Sequence, residues 1–115
     1  MRLPLDYVDR LKYMIKSGGE NIYPAEIEQV LAMESRIIES IVVRKKDDKW
    51  GEVPVVFITT NDSTLCADDI LEHCKKHLSR YKQPKEVIFI THADIPRSTT
   101  GKIQRHVLEG KLTLD

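Results

Sequence analysis

Ile41-Val42-Val43-Arg44-Lys45-Lys46-Asp47-Asp48-Lys49-Trp50-Gly51-Glu52-Val53-Pro54-Val55-Val56-Phe57-Ile58-Thr59 is two β-branched runs separated by a polar connection. Runs of that composition suit the pleated, half-buried surface of a sheet, so 41–43 and 53–59 read as a pair of strands. Pro54 brings no N–H to a ladder, which predicts an edge or a bulge at the start of the second strand. Towards the N-terminus, 11–16 and 20–23 flank Ser17-Gly18-Gly19 and read as a small hairpin whose glycines take the positive φ angles of the turn. Pro24 opens a helix with Glu26 and Glu28 near its positive end and Ile27, Val30 and Leu31 along one face. Towards the C-terminus, the turn Asn61-Asp62-Ser63 leads to a second helix, started by Asp68 and Asp69, with Ile70, Leu71, Cys74 and Leu78 on its apolar face. Gln83-Pro84 ends that segment, and Val87-Ile88-Phe89-Ile90 reads as a third core strand. Ile103, Val107 and Leu108 read as the buried stripe of a last short helix. The predicted fold is α+β, a small sheet of about three core strands plus the N-terminal hairpin, packed with about three helices.

At 115 residues and 41% hydrophobic, the chain has material for one core and one domain. Eighteen basic residues balance eighteen acidic ones, so no global field draws it to nucleic acid or an anionic membrane. Its longest apolar runs, such as 53–58, are far shorter than the ~20 residues of a membrane-spanning helix, and no membrane span is expected. Met1-Arg2-Leu3-Pro4-Leu5-Asp6 lacks the apolar centre of a signal peptide, which predicts a reducing, cytoplasmic setting. Cys66 and Cys74 have the spacing of neither a redox pair nor a zinc knuckle and read as free thiols. His73, Cys74 and His77 recur at helical spacing, but no glutamate follows His73 as in the zincin pattern and Cys74 belongs to a core face. No metal site is expected there.

The chemistry-bearing stretch is Pro96-Arg97-Ser98-Thr99-Thr100-Gly101-Lys102-Ile103-Gln104-Arg105. Read locally, Lys102 stands at a loop-to-helix junction, with Thr100 capping a helix opened by Gly101-Lys102. The ammonium and the positive helix end would then act together on an anion. It is not a phosphate-binding P-loop, since Pro96 stands where the first glycine belongs and Ile103 follows the lysine in place of Ser or Thr. The second informative stretch is Asp9-Arg10-Leu11-Lys12 followed closely by Lys16-Ser17-Gly18-Gly19-Glu20-Asn21-Ile22-Tyr23-Pro24-Ala25-Glu26-Ile27-Glu28.

These segments, with Trp50-Gly51-Glu52 and Tyr81-Lys82-Gln83-Pro84-Lys85 between them, come in the order found in the C-terminal domain of the AMP-forming adenylating enzymes. The chain resembles that domain over nearly its whole length, and its Gly-Gly-Glu-Asn and Trp-Gly-Glu segments are closer to acyl-CoA and aryl-CoA ligases than to peptide-synthetase domains. The resemblance implies two half-reactions on ATP, a carboxylic acid and CoA. A carboxylate attacks the α-phosphate to give an acyl adenylate and pyrophosphate, and a thiol then displaces AMP. Lys102 matches the lysine that offsets the repulsion between carboxylate and phosphate in the first step. Lys12 matches the hinge about which the small domain turns, and Arg10 an arginine near the ribose. Lys16 matches a nucleotide contact, although a plain strand lysine is an equal reading. The resemblance implies that Gly18, Gly19 and Glu20 line the channel for the pantetheine arm. Trp50, Tyr81, Lys82 and Lys85 fall where such ligases hold the nucleotide end of CoA, an aromatic face for adenine and cations for phosphate. Trp50 is equally readable as a loop anchor, and Lys82 and Lys85 as solvated charges. Gln83 departs from relatives that are basic at that position.

The resemblance also implies what these residues lack. The family's large N-terminal adenylation domain, which holds the acid pocket and would bind Mg2+ with ATP, is absent from residues 1–115. The expectation is a single C-terminal lid domain, excised or free-standing, whose partner is that large domain and which is inactive alone. The rival reading is a binding module for CoA, an adenine nucleotide or a carrier protein, without catalysis.

Overall fold

The computed structural model describes residues 13–112; the expectations for Arg10 and Lys12 lie outside the described residues. The chain begins with a tight hairpin of β1 (Ile15–Ser17) and β2 (Glu20–Ile22), with Ser17 opposite Glu20 and only Gly18 and Gly19 between them. Both glycines have positive φ, 56° and 85°, the geometry a two-residue hairpin turn demands. Helix α1 (Pro24–Leu31) follows at once, with Pro24 in the first turn and Pro24, Ile27 and Leu31 buried. Its expected third apolar residue, Val30, is only half-buried.

The predicted strand pair is the backbone of the domain. β3 (Glu39–Asp47) and β4 (Gly51–Thr59) run antiparallel through nine residue pairs, and every residue from Val53 to Thr59 is buried. Such unbroken burial needs cover on both faces of the strand, which the helices supply. Helix α2 (Ala67–His77) joins α1 on one face, over Ile22, Val42, Val56 and Ile58; Ile70 and Cys74 are buried there. Helix α3 (Arg105–Leu112) covers the other face, where Leu108 and Leu112 pack with Ile41, Val43, Val55 and Phe57. α3 differs from expectation in its stripe: Val107 is exposed, Leu112 takes its place, and Ile103 lies before the helix. Burial at Leu108 and Leu112, one turn apart, is what a short helix laid across a sheet provides.

β5 (Glu86–Phe89) pairs with β4 in parallel, with Val55 opposite Glu86 and Ile58 opposite Phe89, so the sheet is mixed. The third core strand proves to be a marginal one, since Val87 and Ile88 are half-buried and Phe89 is exposed. β4 is central, with β3 on one side and β1 and β5 sharing the other. Pro54 therefore sits on an inner strand and not at an edge. It is tolerated because it falls between the β1 contact at Gly51 and the first β5 pair at Val55, and its carbonyl accepts the N–H of Lys85 at 2.9 Å.

Among the described residues β3 pairs only with β4. Along its other side three backbone groups are taken by side chains. The Val42 N–H donates to Glu28 Oε2 at 2.9 Å, the Val42 carbonyl accepts from Arg105 NH1 at 2.8 Å, and the Arg44 N–H donates to the Tyr13 hydroxyl at 2.9 Å. No helix among the described residues is long and apolar enough to cross a membrane.

Candidate functional site

The two motif-bearing regions form separate clefts. The first surrounds Lys102. Residues 97–103 fold as a small hairpin: Arg97 and Ile103 form an antiparallel bridge, the Ser98 N–H donates to the Lys102 carbonyl at 2.8 Å, and the Gly101 N–H to the Ser98 carbonyl at 2.9 Å. Gly101 has φ 87°, the left-handed conformation that closes such a turn. This corrects the expected helix start. Thr100 lies in the turn, its hydroxyl 2.9 Å from Ser98 Oγ, and α3 begins only at Arg105. Lys102 thus stands exposed on the returning arm of a hairpin, before α3 begins at Arg105.

Arg44, Arg97, Arg105 and His106 share with Lys102 an open cleft of about 490 Å³. Among the described residues Glu109 is its one acidic wall residue, and it pairs with Arg44. The other two arginines are backed by carboxylates beyond the cleft wall. Arg105 reaches Glu28 Oε2 at 2.8 Å and Oε1 at 3.3 Å, and Arg97 reaches Glu39 Oε1 at 2.6 Å. Tyr13 forms the floor, its ring 4.8 Å from the Arg44 guanidinium carbon and 5.6 Å from that of Arg105. Burial pushes its phenol pKa well up, so the hydroxyl stays protonated at neutral pH. A rigid arc of cations around Lys102 suits a carboxylate, a phosphate or both. Sequence reasoning singled out Lys102 and missed its neighbours. Arg97 and Arg105 lay inside the quoted motif, but Arg44 and Glu109 come together only through the packing of α3 on β3.

The second cleft, about 570 Å³, lies where the β1–β2 turn meets the β3–β4 turn and the 3-10 turn Arg80–Lys82. The Gly18 N–H donates to the Trp50 carbonyl at 2.9 Å, and Asp47 Oδ2 accepts the N–H groups of Lys49 and Trp50 at 3.1 and 2.8 Å, which holds the tryptophan loop in place. Trp50 and Tyr81 are partly exposed, at 45% and 38%, so part of each ring is accessible to a ligand. Of the residues expected here, Gly18, Glu20, Trp50, Tyr81 and Lys85 line this cleft together. Gly19 and Lys82 do not. Gly19 is at the exposed tip of the hairpin, and Lys82 turns its ammonium to Glu26 on α1, a pairing that raises its pKa. Arg80 and Lys49, which sequence reasoning left out although each precedes a named aromatic, supply the cations in its stead. Lys49 Nζ lies 5.0 Å from the Trp50 ring centre. Lys16 is exposed on β1 and outside both clefts; its N–H donates to Glu52 Oε1 at 2.8 Å.

The histidine pair on α2 is spoken for. His73 Nε2 is 2.7 Å from the Val30 carbonyl oxygen, its ring lies 4.9 Å from that of His77, and Cys74 is buried between the layers. No group of three His, Cys, Asp or Glu able to hold a metal ion occurs among the described residues.

The family model for the AMP-binding enzyme C-terminal domain matches residues 26–102. Among curated proteins, the chain is 44% identical over 108 residues to the 2-succinylbenzoate–CoA ligase of Bacillus pumilus, covering 94% of this chain and 22% of the relative. It is 46% identical over 100 residues to the long-chain-fatty-acid–CoA ligase FadD13 of Mycobacterium tuberculosis, covering 87% and 20%. Among solved structures, a Mycobacterium tuberculosis fatty acyl CoA synthetase superposes with a TM-score of 0.80 at 44% identity, over 89% of this chain and 20% of that one. The o-succinylbenzoate CoA synthetase of Bacillus subtilis, in complex with its acyl-adenylate intermediate, superposes with a TM-score of 0.78 at 35% identity, over 85% and 20%. The chain spans about a fifth of the length of the relatives it matches.

Proposed function

The chain belongs to the family of AMP-binding enzyme C-terminal domains, and from that premise we propose that it is the mobile lid of an ATP-dependent, AMP-forming acid–CoA ligase. The substrates are a fatty or aryl carboxylic acid, ATP and CoA, and the partner is a large adenylating domain that holds the acid and, with ATP, Mg2+. Adenylation joins a carboxylate oxygen to the α-phosphorus while the bond to the β-phosphate breaks and pyrophosphate leaves. Two anions must approach for that. The Lys102 ammonium, set among guanidinium groups already anchored by their own carboxylates, lowers their repulsion without first having to reorganise. In the second step the CoA thiolate attacks the acyl carbon and AMP departs. The cleft of Gly18, Trp50, Tyr81 and Lys85, joined by Arg80 and Lys49, then holds the nucleotide end of CoA, with adenine on an aromatic face and phosphates on the cations. Lys12 and Arg10 are assigned to hinge and ribose through the family motif alone.

The observation that carries the reading is that Lys102 and the glycine hairpin line two distinct clefts of one domain. A lid that turns between two half-reactions needs two such surfaces. The test joins this chain to the large domain of a relative and follows pyrophosphate release and CoA thioester formation over a panel of carboxylic acids. The expected result is activity that needs both parts, with Lys102→Ala stopping adenylation and sparing thioester formation from supplied adenylate. Normal adenylation by Lys102→Ala would remove the assignment. No activity beside CoA binding by the chain itself would favour a binding module.

A further inference from the structure

The hairpin that carries Lys102 is closed by its own bonds and is tied to the rest of the domain by Arg97 on one arm and by Ile103, which packs on the core, on the other. Its internal bonds are the Arg97–Ile103 bridge and the Ser98, Gly101 and Gln104 amide bonds, the last to the Pro96 carbonyl at 2.9 Å. Each arm then ends in a guanidinium that reaches a glutamate on a different element. On the entering arm, Arg97 NH2 donates to Glu39 Oε1 at 2.6 Å; just beyond the leaving arm, Arg105 is held by both oxygens of Glu28. Glu39 is no loose surface partner. Its side chain is 24% exposed, and its Oε2 accepts the Thr59 hydroxyl at 3.3 Å and lies 2.8 Å from His92 Nδ1. Those contacts come from the end of β4 and from the 3-10 turn His92–Asp94, so the carboxylate is fixed before Arg97 reaches it.

Resting on the lid reading above, we propose that Glu39 is a positioning residue for adenylation: through Arg97 it sets where the hairpin holds Lys102, although it lies outside the Lys102 cleft itself. Because the hairpin is closed by its own bonds, freeing its Arg97 arm would shift the lysine without opening the turn. Chemistry that depends on placement is sensitive to such shifts, since a misplacement of about 1 Å can cost about 100-fold in rate. Thioester formation, which uses the other cleft, has no such dependence on Glu39.

The test uses Glu39→Gln in this chain joined to the large domain of a relative, with Lys102→Ala and the double variant beside it. Glu39→Gln is expected to lower the adenylation kcat about ten-fold or more. The ATP KM and the rate of thioester formation from supplied acyl adenylate are expected to stay at parent values, while the melting temperature falls by at most a few degrees. In the Lys102→Ala background the same change is expected to add nothing, because Glu39 acts only through the placement of that lysine. Parent-level adenylation by Glu39→Gln, with Lys102→Ala inactive, would overturn this inference and leave the lid reading standing. So would equal losses in both half-reactions, or independent losses in the double variant. Parent-level adenylation by Lys102→Ala would sink both. If Glu39→Gln does not fold, Glu39→Asp keeps the charge but shortens the reach to Arg97, and is read in the same way.

Discussion

Gly18 lies against the indole of Trp50: a methyl group on its Cα would stand 2.9 Å from Cε3 and 3.3 Å from Cζ3 of that ring. Its φ of 56° is costly for any residue with a Cβ, by about 1–2 kcal/mol. Gly18→Ala is therefore predicted to lower stability by about 1–2 kcal/mol and to push the indole outward. Trp50 is the chain's one tryptophan, so urea unfolding followed by its emission reads both effects at once.

The same fluorophore reports on ligand. CoA is predicted to quench Trp50, with an affinity that falls as salt is raised. Arg80→Ala and Lys85→Ala should each weaken binding by about 5-fold, roughly 1 kcal/mol for one charged contact. Lys82→Ala should matter less, because its ammonium is already engaged by Glu26. A titration in which Lys82→Ala is the most damaging of the three would restore that lysine to the cleft.

Glu28→Ala should cost about 3 kcal/mol, because it strips a half-buried guanidinium of its carboxylate and the Val42 amide of its acceptor. Glu28→Gln keeps an acceptor oxygen and should cost about half as much. Chemical denaturation of both variants checks the order.

Glu34 is held down to about 2 from an ordinary 4.5, first by its side-chain bonds from Arg36 and then by the Arg36 N–H. A depressed carboxyl favours the folded state above pH 4.5 and loses that contribution as pH falls towards 2. The Glu34 carboxyl resonance should titrate near 2, and Arg36→Ala should move the midpoint back towards 4.5.

The two cysteines should differ in reactivity. Cys66 is exposed at the start of α2, whereas Cys74 is buried and its thiol is pushed up to about 11 by that burial. An aromatic disulfide reagent should label one thiol promptly and the second only on unfolding. Prompt loss of both would place Cys74 nearer the surface.

What the sequence disclosed was local. Gly18 and Gly19 announce a two-residue turn, Pro24 a helix start, and the β-branched runs around 41–59 the central strand pair, because each depends on neighbours in the chain. The Lys102 segment was misread for the opposite reason. Thr-Gly-Lys serves a helix start or a turn equally well, and the choice is made by the non-local bridge of Arg97 to Ile103. In the same way Val107 carries an apolar side chain at helical spacing, but the face that α3 presents is decided by where the hairpin delivers the chain. Arg44 with Glu109, and Arg80 with Trp50, are products of topology and left no mark in spacing.

The side chains ranged along the outer margin of β3 have a further consequence. A strand whose amides and carbonyls face outward is a template on which a second molecule can add its own strand, and repetition of that event leads to aggregates. Here the Val42 amide and carbonyl and the Arg44 amide are already bonded, and the atoms that take them belong to a charged pair and a phenol. At Val42 an intruding strand would have to strip a guanidinium from its carboxylate before it gained a hydrogen bond there. Glu28, Arg105 and Tyr13 thereby guard this stretch of the margin against other copies of the chain.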